Sequence, residues 1–436
     1  MTLKVLLVAD SDSQLLACQA LTRFGDERDV CFTVNAIPRE GTPASVLQAL
    51  ERSGPLWRFT LRQLLADRRL DGFAAIGVYL TGSKLAEFRS TYHLSREQQR
   101  RPRRPLFCGF NGVVLERFEE AIAWRLGYDL ICLNGPRDQA RLELLLRHTP
   151  FQGQRTVLTG LGRQRPQEPG AERPRRMVFA EQVVMPAALA ERRRLVRILA
   201  RLARRSPEWE LLIKPRVAPH ESTFHAVDTH ISHTLQESLG SPPANLQLSY
   251  APLPELLSRS MLITTVSSTA LFDALDLGCR AVVMDDFGLR QDLGTPFFAG
   301  SGLLRSLARA EDLDSLAAAA ADPDPAWLYW VGYHPAFSPA NLLEALVQLQ
   351  AHPLTPLQLS QPGYVVNAAD LSTNQLRRGA EIAIQSGDLE EATRLLEMAQ
   401  LQRPDNRNIG RRLAALRLRP ALLRRLALLV TPRFRL

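Results

Sequence analysis

Over the first 160 residues the apolar positions form short, nearly continuous runs, separated by stretches in which they recur every three or four residues. Residues 4–10 (KVLLVAD), 30–37, 71–80, 105–110, 128–134 and 155–161 are of the first kind, and 13–25 and the long region 45–69 are of the second. Runs apolar on both faces belong in a parallel sheet covered by helices above and below. Residues 1–162 are therefore predicted to form one doubly wound α/β domain. The periodicity stops at Gly162, and 163–176 (RQRPQEPGAERPRR) supplies proline, glycine and charge without a repeat, as interdomain linkers do. A second series follows: strands at 176–184, 210–216, 246–251, 261–267 and 281–286, with helical patterns at 188–206 and 224–240. A second doubly wound domain over 177–355 is predicted. A chain of 436 residues with 45% hydrophobic content is long enough for two or three cores.

Residues 356–436 are a helical extension. The stretch 375–406 (QLRRGAEIAIQSGDLEEATRLLEMAQLQRPDN) has small residues at helix-crossing positions and a Gly-Asp turn, and it resembles a single tetratricopeptide-type hairpin. One such hairpin cannot bury its own apolar face, so it must dock on the body or on a partner. The charge changes the picture next. The net charge of +9 is concentrated in residues 406–436, which hold nine arginines and no Asp or Glu. The rest of the chain is near neutral and carries no nucleic-acid-binding motif, which argues against nucleic acid as a partner. The segment 419–436 (RPALLRRLALLVTPRFRL) fits two readings: a basic amphipathic helix on an anionic membrane surface, or a terminal helix packing its leucines on the body. The arginine clusters 100–104 and 163–176 fall in connectors and read as solvated loops. Five dispersed cysteines, with no CxxC, indicate neither zinc nor a disulfide framework. With a first apolar run too short for a signal sequence and no run of membrane-spanning length, a cytoplasmic protein is expected, peripheral at the inner membrane face if the tail binds lipid.

Candidate chemistry sits at two strand exits of the second domain. Ser267, Ser268 and Thr269 follow the strand 261–267 directly before a helix, where free backbone N–H groups and the positive dipole end attract an anion. Helix capping accounts for one hydroxyl and does not require three. Lys214 and Arg216 end the strand 210–216, with Glu221 and His225 beyond it. Lysine is scarce, at positions 4, 84 and 214 only, so one at a strand exit is conspicuous. Lys and Arg there can bind phosphate, and His225 can donate a proton to a departing one. His220, His230 and His233 are poorer candidates.

A strand ending in Lys-Pro, a nearby histidine, and a later Ser-Ser-Thr before a helix resemble the pattern of bacterial glycosyltransferases of the two-Rossmann GT-B fold, of the polysialyltransferase-like or capsule-sugar type. The chain departs from that pattern in having Lys-Pro-Arg and a later His225 where the family has an adjacent His-Pro; His334-Pro335 lies downstream of the hydroxyl corner, among aromatics expected to pack the second domain. The resemblance implies a second domain that binds the nucleotide of an activated sugar, with CMP-sialic acid or a related acidic sugar as donor. It also implies a first domain that binds a glycan or lipid-linked acceptor across a cleft, for surface polysaccharide synthesis. No metal and no cofactor beyond the nucleotide-sugar co-substrate is expected. Transfer needs a base for the acceptor hydroxyl. Glu116, after the loop with Asn111 and Gly112, is favoured over Asp12, which follows the first strand; each has a rival explanation as a helix-start residue. Thr81 and Ser83 line the acceptor side, or simply begin a helix. The alternatives are a nucleotide-sugar epimerase of the same architecture and a non-catalytic scaffold built on the helical hairpin. A NAD-dependent dehydrogenase is disfavoured, because VADSDS stands where a G-x-G-x-x-G would follow the first strand.

Overall fold

The computed structural model describes residues 3–25, 30–39, 42, 44–115, 118–147, 149, 151–161, 173–182, 185–216, 230–351, 373–404 and 406–432. The chain forms two compact units, one of Met1–Leu133, Asp138–Thr159 and Pro339–Leu436, the other of Asn134–Arg137 and Gly160–Ser338.

In the first unit, β1 (Leu3–Ala9), β2 (Val30–Ala36), β3 (Leu56–Trp57), β4 (Ala75–Tyr79), β5 (Leu106–Cys108), β6 (Leu130–Leu133) and β7 (Thr156–Leu158) form one sheet in the order β3-β2-β1-β4-β5-β6-β7. Every pairing is parallel. Side chains alternate across a strand, so β1 feeds both faces of the sheet. Leu6 and Val8 enter a core with Phe88, Tyr92 and Phe118, while Val5 and Leu7 enter another with Leu15, Cys18 and Leu346. That two-sided burial is why KVLLVAD carries no alternation. At Gly77 in β4 a Cβ would sit 2.3 Å from Phe107 Cζ and 2.8 Å from Leu7 Cδ2, so only glycine lets the Phe107 ring cross the strand.

The region 45–69, read as one helical stretch, is divided: helix Ala44–Ser53, then β3, then helix Leu61–Ala66 with a Thr60–Gln63 capping box. Gly54 (φ +153°) and Pro55 break the first helix, and local chain geometry overrides the apolar period there. The domain limit also differs. The helix Pro339–Ala351, placed with the second domain from its position in sequence, belongs to the first unit, where Leu342, Leu346 and Leu349 are buried in the core shared by Val5 and Leu7.

The second unit holds β8 (Arg176–Ala180), β9 (Glu210–Lys214), β10 (Leu246–Leu248), β11 (Leu262–Thr265), β12 (Arg280–Met284) and β13 (Leu304–Arg305), all parallel, in the order β10-β9-β8-β11-β12-β13. The helix Leu189–Arg205 presents Leu195, Leu199 and Leu202 to this sheet and keeps most of its arginines outside. The aromatics of 326–337 divide: Trp327 is buried and Tyr333 donates to Asp276 Oδ1 (2.8 Å), with the Phe272 ring stacked on both, whereas Tyr329 and Trp330 are exposed.

The extension is helical throughout its described part: Thr373–Ser386, Leu389–Gln402, Arg407–Leu416 and Ala421–Val430. The first two form a hairpin that docks on the helix Lys84–Gln99. Ile382 joins the core of the first unit, and Ala123 joins the hairpin's own.

Candidate functional site

An open doubly wound sheet has its crevice where neighbouring strands send the chain to opposite sides. In the second unit that point lies between β8 and β11. Glu181 and Gln182 leave β8, Lys214 leaves the adjacent β9 in register with Ala180, and Ser267–Thr269 leave β11. The hydroxyl corner therefore stands at the switch point of its sheet. Its three members differ. Ser267 is fully buried: Gln182 Oε1 accepts from its backbone N–H (2.9 Å) and Gln182 Nε2 donates to its Oγ (3.2 Å). Ser268 is half-buried, and its Oγ accepts from Ala270 N–H (3.3 Å). Thr269 is the N-cap of the helix Ala270–Asp276, is half-buried, and makes no side-chain cap bond. Below the corner Thr265 Oγ1 donates to Ala180 O (3.0 Å) and accepts from Ser268 N–H (3.1 Å), tying β11 to β8.

Lys214 Nζ donates to Pro215 O (2.6 Å), and the Arg216 N–H points to Glu181 Oε2 (3.4 Å). The buried Glu181 carboxylate is held by the buried Arg192 guanidinium (3.1 Å). At the exit of β12, Asp286 accepts from Ser306 Oγ and from the N–H groups of Leu307 and Ala308, so it orders the next loop. Beside it, burial first and the Asp286 charge second raise the Asp285 carboxyl above its ordinary range. His225 and Glu221 lie outside the described residues.

In the first unit the switch point lies between β1 and β4, whose ends are in register at Ala9 and Tyr79. Asp10, buried at the exit of β1, pairs with Lys84 Nζ from the exit of β4. In the orientation its neighbours dictate, the Gln14 amide nitrogen donates to Asp10 Oδ1 (2.6 Å) and Tyr79 O (3.0 Å), while its oxygen accepts from Thr81 N–H (3.1 Å). Asp12 opens the helix Asp12–Gly25 two residues after Asp10. Next to this bridge lies a concavity of about 340 Å³, whose lining includes Gln14, Thr81, Asn111, Glu120, Trp124 and Arg125. The Arg125 guanidinium donates to Gly109 O (3.1 Å) and Ala121 O (2.5 Å) and lies 3.9 Å over the Phe110 ring. Burial lowers its proton affinity. Trp124 Nε1 is buried without a hydrogen-bond partner, as is Ser83 Oγ. Asn111 Nδ2 donates to Ser13 Oγ (2.9 Å), and Gly112 follows with φ +153°. Glu116 lies outside the described residues.

Of the sequence candidates, Thr81 and Asn111 thus share one concavity with Ser83 beside it, and Lys214, Ser268 and Thr269 share one sheet edge. Gln182, Gln14 and the Asp10–Lys84 pair went unread as a constellation. Only the scarcity of lysine pointed to Lys84, and a lone Gln in a helix carries no signal. Among the described residues no group of three or more His, Cys, Asp or Glu side chains gathers in a way that could hold a metal ion.

Known structures share the fold at low identity. Anabaena Alr3699/HepE, solved with UDP and glucose, aligns over 80% of this chain and 99% of its own at 11% identity and a TM-score of 0.50. Arabidopsis thaliana UGT89C1, solved with UDP, covers 80% and 99% at 12% identity and a TM-score of 0.47. The UDP-GlcNAc 2-epimerase of Neisseria meningitidis covers 80% and 100% at 14% and 0.47. No curated protein matches the chain in sequence. The two doubly wound units are those of a GT-B fold. A family model covers residues 5–349, most of both units, and the chain belongs to that family, described as "Putative glycosyltransferase (DUF6716)".

Proposed function

We propose that this protein transfers a sugar from a nucleotide-activated donor to a glycan or lipid-linked acceptor in surface polysaccharide synthesis, without a metal. The observation that carries the reading is that Lys214, Ser268 and Thr269 leave β9 and β11, the two strands that flank β8, at the switch-point end of the second sheet. A cation and two hydroxyls there suit a nucleotide's phosphate. Arg216 extends the positive edge, and Ser267, bonded to Gln182, shapes the corner from within. The acceptor occupies the concavity of the first unit, between Thr81, Asn111 and Arg125, with Ser83 and Gly112 at its margin. In the transfer, Glu116 or Asp12 takes the proton of the acceptor hydroxyl, and the freed oxygen pair attacks the anomeric carbon. The bond from that carbon to phosphate breaks, and the phosphate leaves with the electron pair, met by a proton or hydrogen bond from His225. The polysialyltransferase-like pattern favours CMP as the nucleotide, whereas the Anabaena structure solved with UDP and glucose favours UDP.

A thermal-shift screen with CMP, CDP, UDP and GDP tests the donor site, since a ligand at 100 times its Kd adds about 2.7 kcal/mol to native stability. Ser268→Ala/Thr269→Val should cost about tenfold or more in nucleotide affinity with the fold intact. No stabilisation by any nucleotide, or unchanged affinity in the double variant, refutes the assignment. Glu116→Gln should cost about a hundred- to ten-thousand-fold in turnover with nucleotide affinity retained. Near-normal turnover transfers the role to Asp12.

A further inference from the structure

The helix Ala421–Val430 is held to the body along one side only. Leu428 packs against the hairpin core. Arg412, buried and doubly bonded to the buried Glu381 carboxylate (Nε–Oε1 2.7 Å), donates to Leu428 O (2.5 Å) and Thr431 Oγ1 (2.9 Å). Opposite that anchor, at 3.6 residues per turn, Leu422, Leu423, Leu426, Leu429 and Val430 fill an arc of roughly 120°. All five face water, with between 51% and 83% of their surface exposed, and no residue of the helix is buried. The alternative in which these leucines pack on the body is thus not the arrangement adopted. A contiguous apolar face of this kind on a soluble domain marks an interaction surface.

Charge selects what covers it. From Asn406 onward the chain has nine arginines and no acidic residue. Arg419 and Arg425 are exposed, and Arg425 borders the leucine arc. A second copy of this helix would set like charges against each other, and a neutral apolar groove would leave the arginines unmatched. A bilayer rich in anionic phospholipid satisfies both, with leucines in the acyl boundary and guanidinium groups at the phosphates. We infer that this helix lies in the plane of an anionic membrane surface and attaches the protein there. It does not cross: among the described residues no helix is long and apolar enough to span a membrane. The inference stands whether or not the protein transfers sugars.

Flotation of the full chain with phosphatidylcholine vesicles, and with vesicles that also contain phosphatidylglycerol, tests it. Binding is expected to the second only, weakening as salt shortens the Debye length. Arg419→Gln/Arg425→Gln should weaken partitioning about fivefold per arginine. Leu422→Ser/Leu426→Ser/Leu429→Ser should abolish it with an unchanged melting temperature, because the three side chains are already in water. Absence of flotation with the anionic vesicles overturns the inference, as does undiminished flotation of the leucine variant. A concentration-dependent dimer in light scattering, lost in the leucine variant without any vesicle binding, would assign the face to a second copy instead.

Discussion

Glu87 stands one turn after Lys84 in the helix Lys84–Gln99, on which the helix Thr373–Ser386 packs. Burial lifts its carboxyl from an ordinary 4.5 to about 7, opposed by the charges of Lys84 and Arg378 and aided by that of Glu381. A folded pKa above the unfolded one means that the native state holds the proton more tightly. Stability is then full below pH 4.5 and declines as pH rises through 7. Glu87→Gln, a fixed mimic of the protonated form, should stabilise the protein at pH 8 by on the order of 2 kcal/mol and leave it unchanged at pH 4. Melting curves at the two pH values check this, and an equal shift at both would remove the titration from the account. The two strand-exit lysines show what could be read one residue at a time. Lys214 stood out in the sequence because its strand ended visibly beside it. Lys84 lay four residues past a strand, and its importance depends on Asp10, 74 residues away.

Among the elements, the C-terminal helices show most clearly how a buried polar pair organises packing. Arg412 and Glu381 join the helices Arg407–Leu416 and Thr373–Ser386 through a pair almost wholly out of water. Removing one partner strands the other's charge, so Glu381→Ala should cost about 3–5 kcal/mol. Replacing both, Glu381→Met/Arg412→Met, should recover most of that, and denaturant unfolding of the two variants measures the difference. If the double variant is as damaged as the single, the contacts of Arg412 with Leu428 and Thr431, lost only in the double, are worth as much as the stranded charge costs. The hairpin itself was legible from its spacing of small residues and its Gly-Asp turn. Its docking partner was not, because an apolar helix face does not specify which surface covers it.

For the whole molecule, the chain order and the packing order differ. The chain leaves the first unit after Thr159 and rejoins it at Pro339, where the helix Pro339–Ala351 buries Leu342, Leu346 and Leu349 on the first sheet. Leu346→Ala should cost about 2–5 kcal/mol, and the loss should appear in the unfolding of the first unit, as read by hydrogen exchange of β1. A loss confined to β8 and β11 would contradict that assignment. A chain ending at Ser338 would leave this core face uncovered and should aggregate, whereas residues 173–338 retain a complete sheet and core of their own.

The alternation of two-sided apolar runs with amphipathic helices determined, without any structure, that two doubly wound parallel sheets form, because burial on both faces is a property of each strand's own composition. It also placed Ser267–Thr269 and Lys214 at strand exits, since an exit is a local event in the chain. Strand order was decided only in three dimensions: the β8–β11 and β1–β4 neighbours that bring Gln182 to Ser267 and Asp10 to Lys84 are separated by many residues and meet only through crossover connections. The same holds for the exposed leucines of Ala421–Val430. Their helical spacing was written in the sequence, but only the clasp of Arg412 on Leu428 and Thr431 decided which side of the helix the body covers.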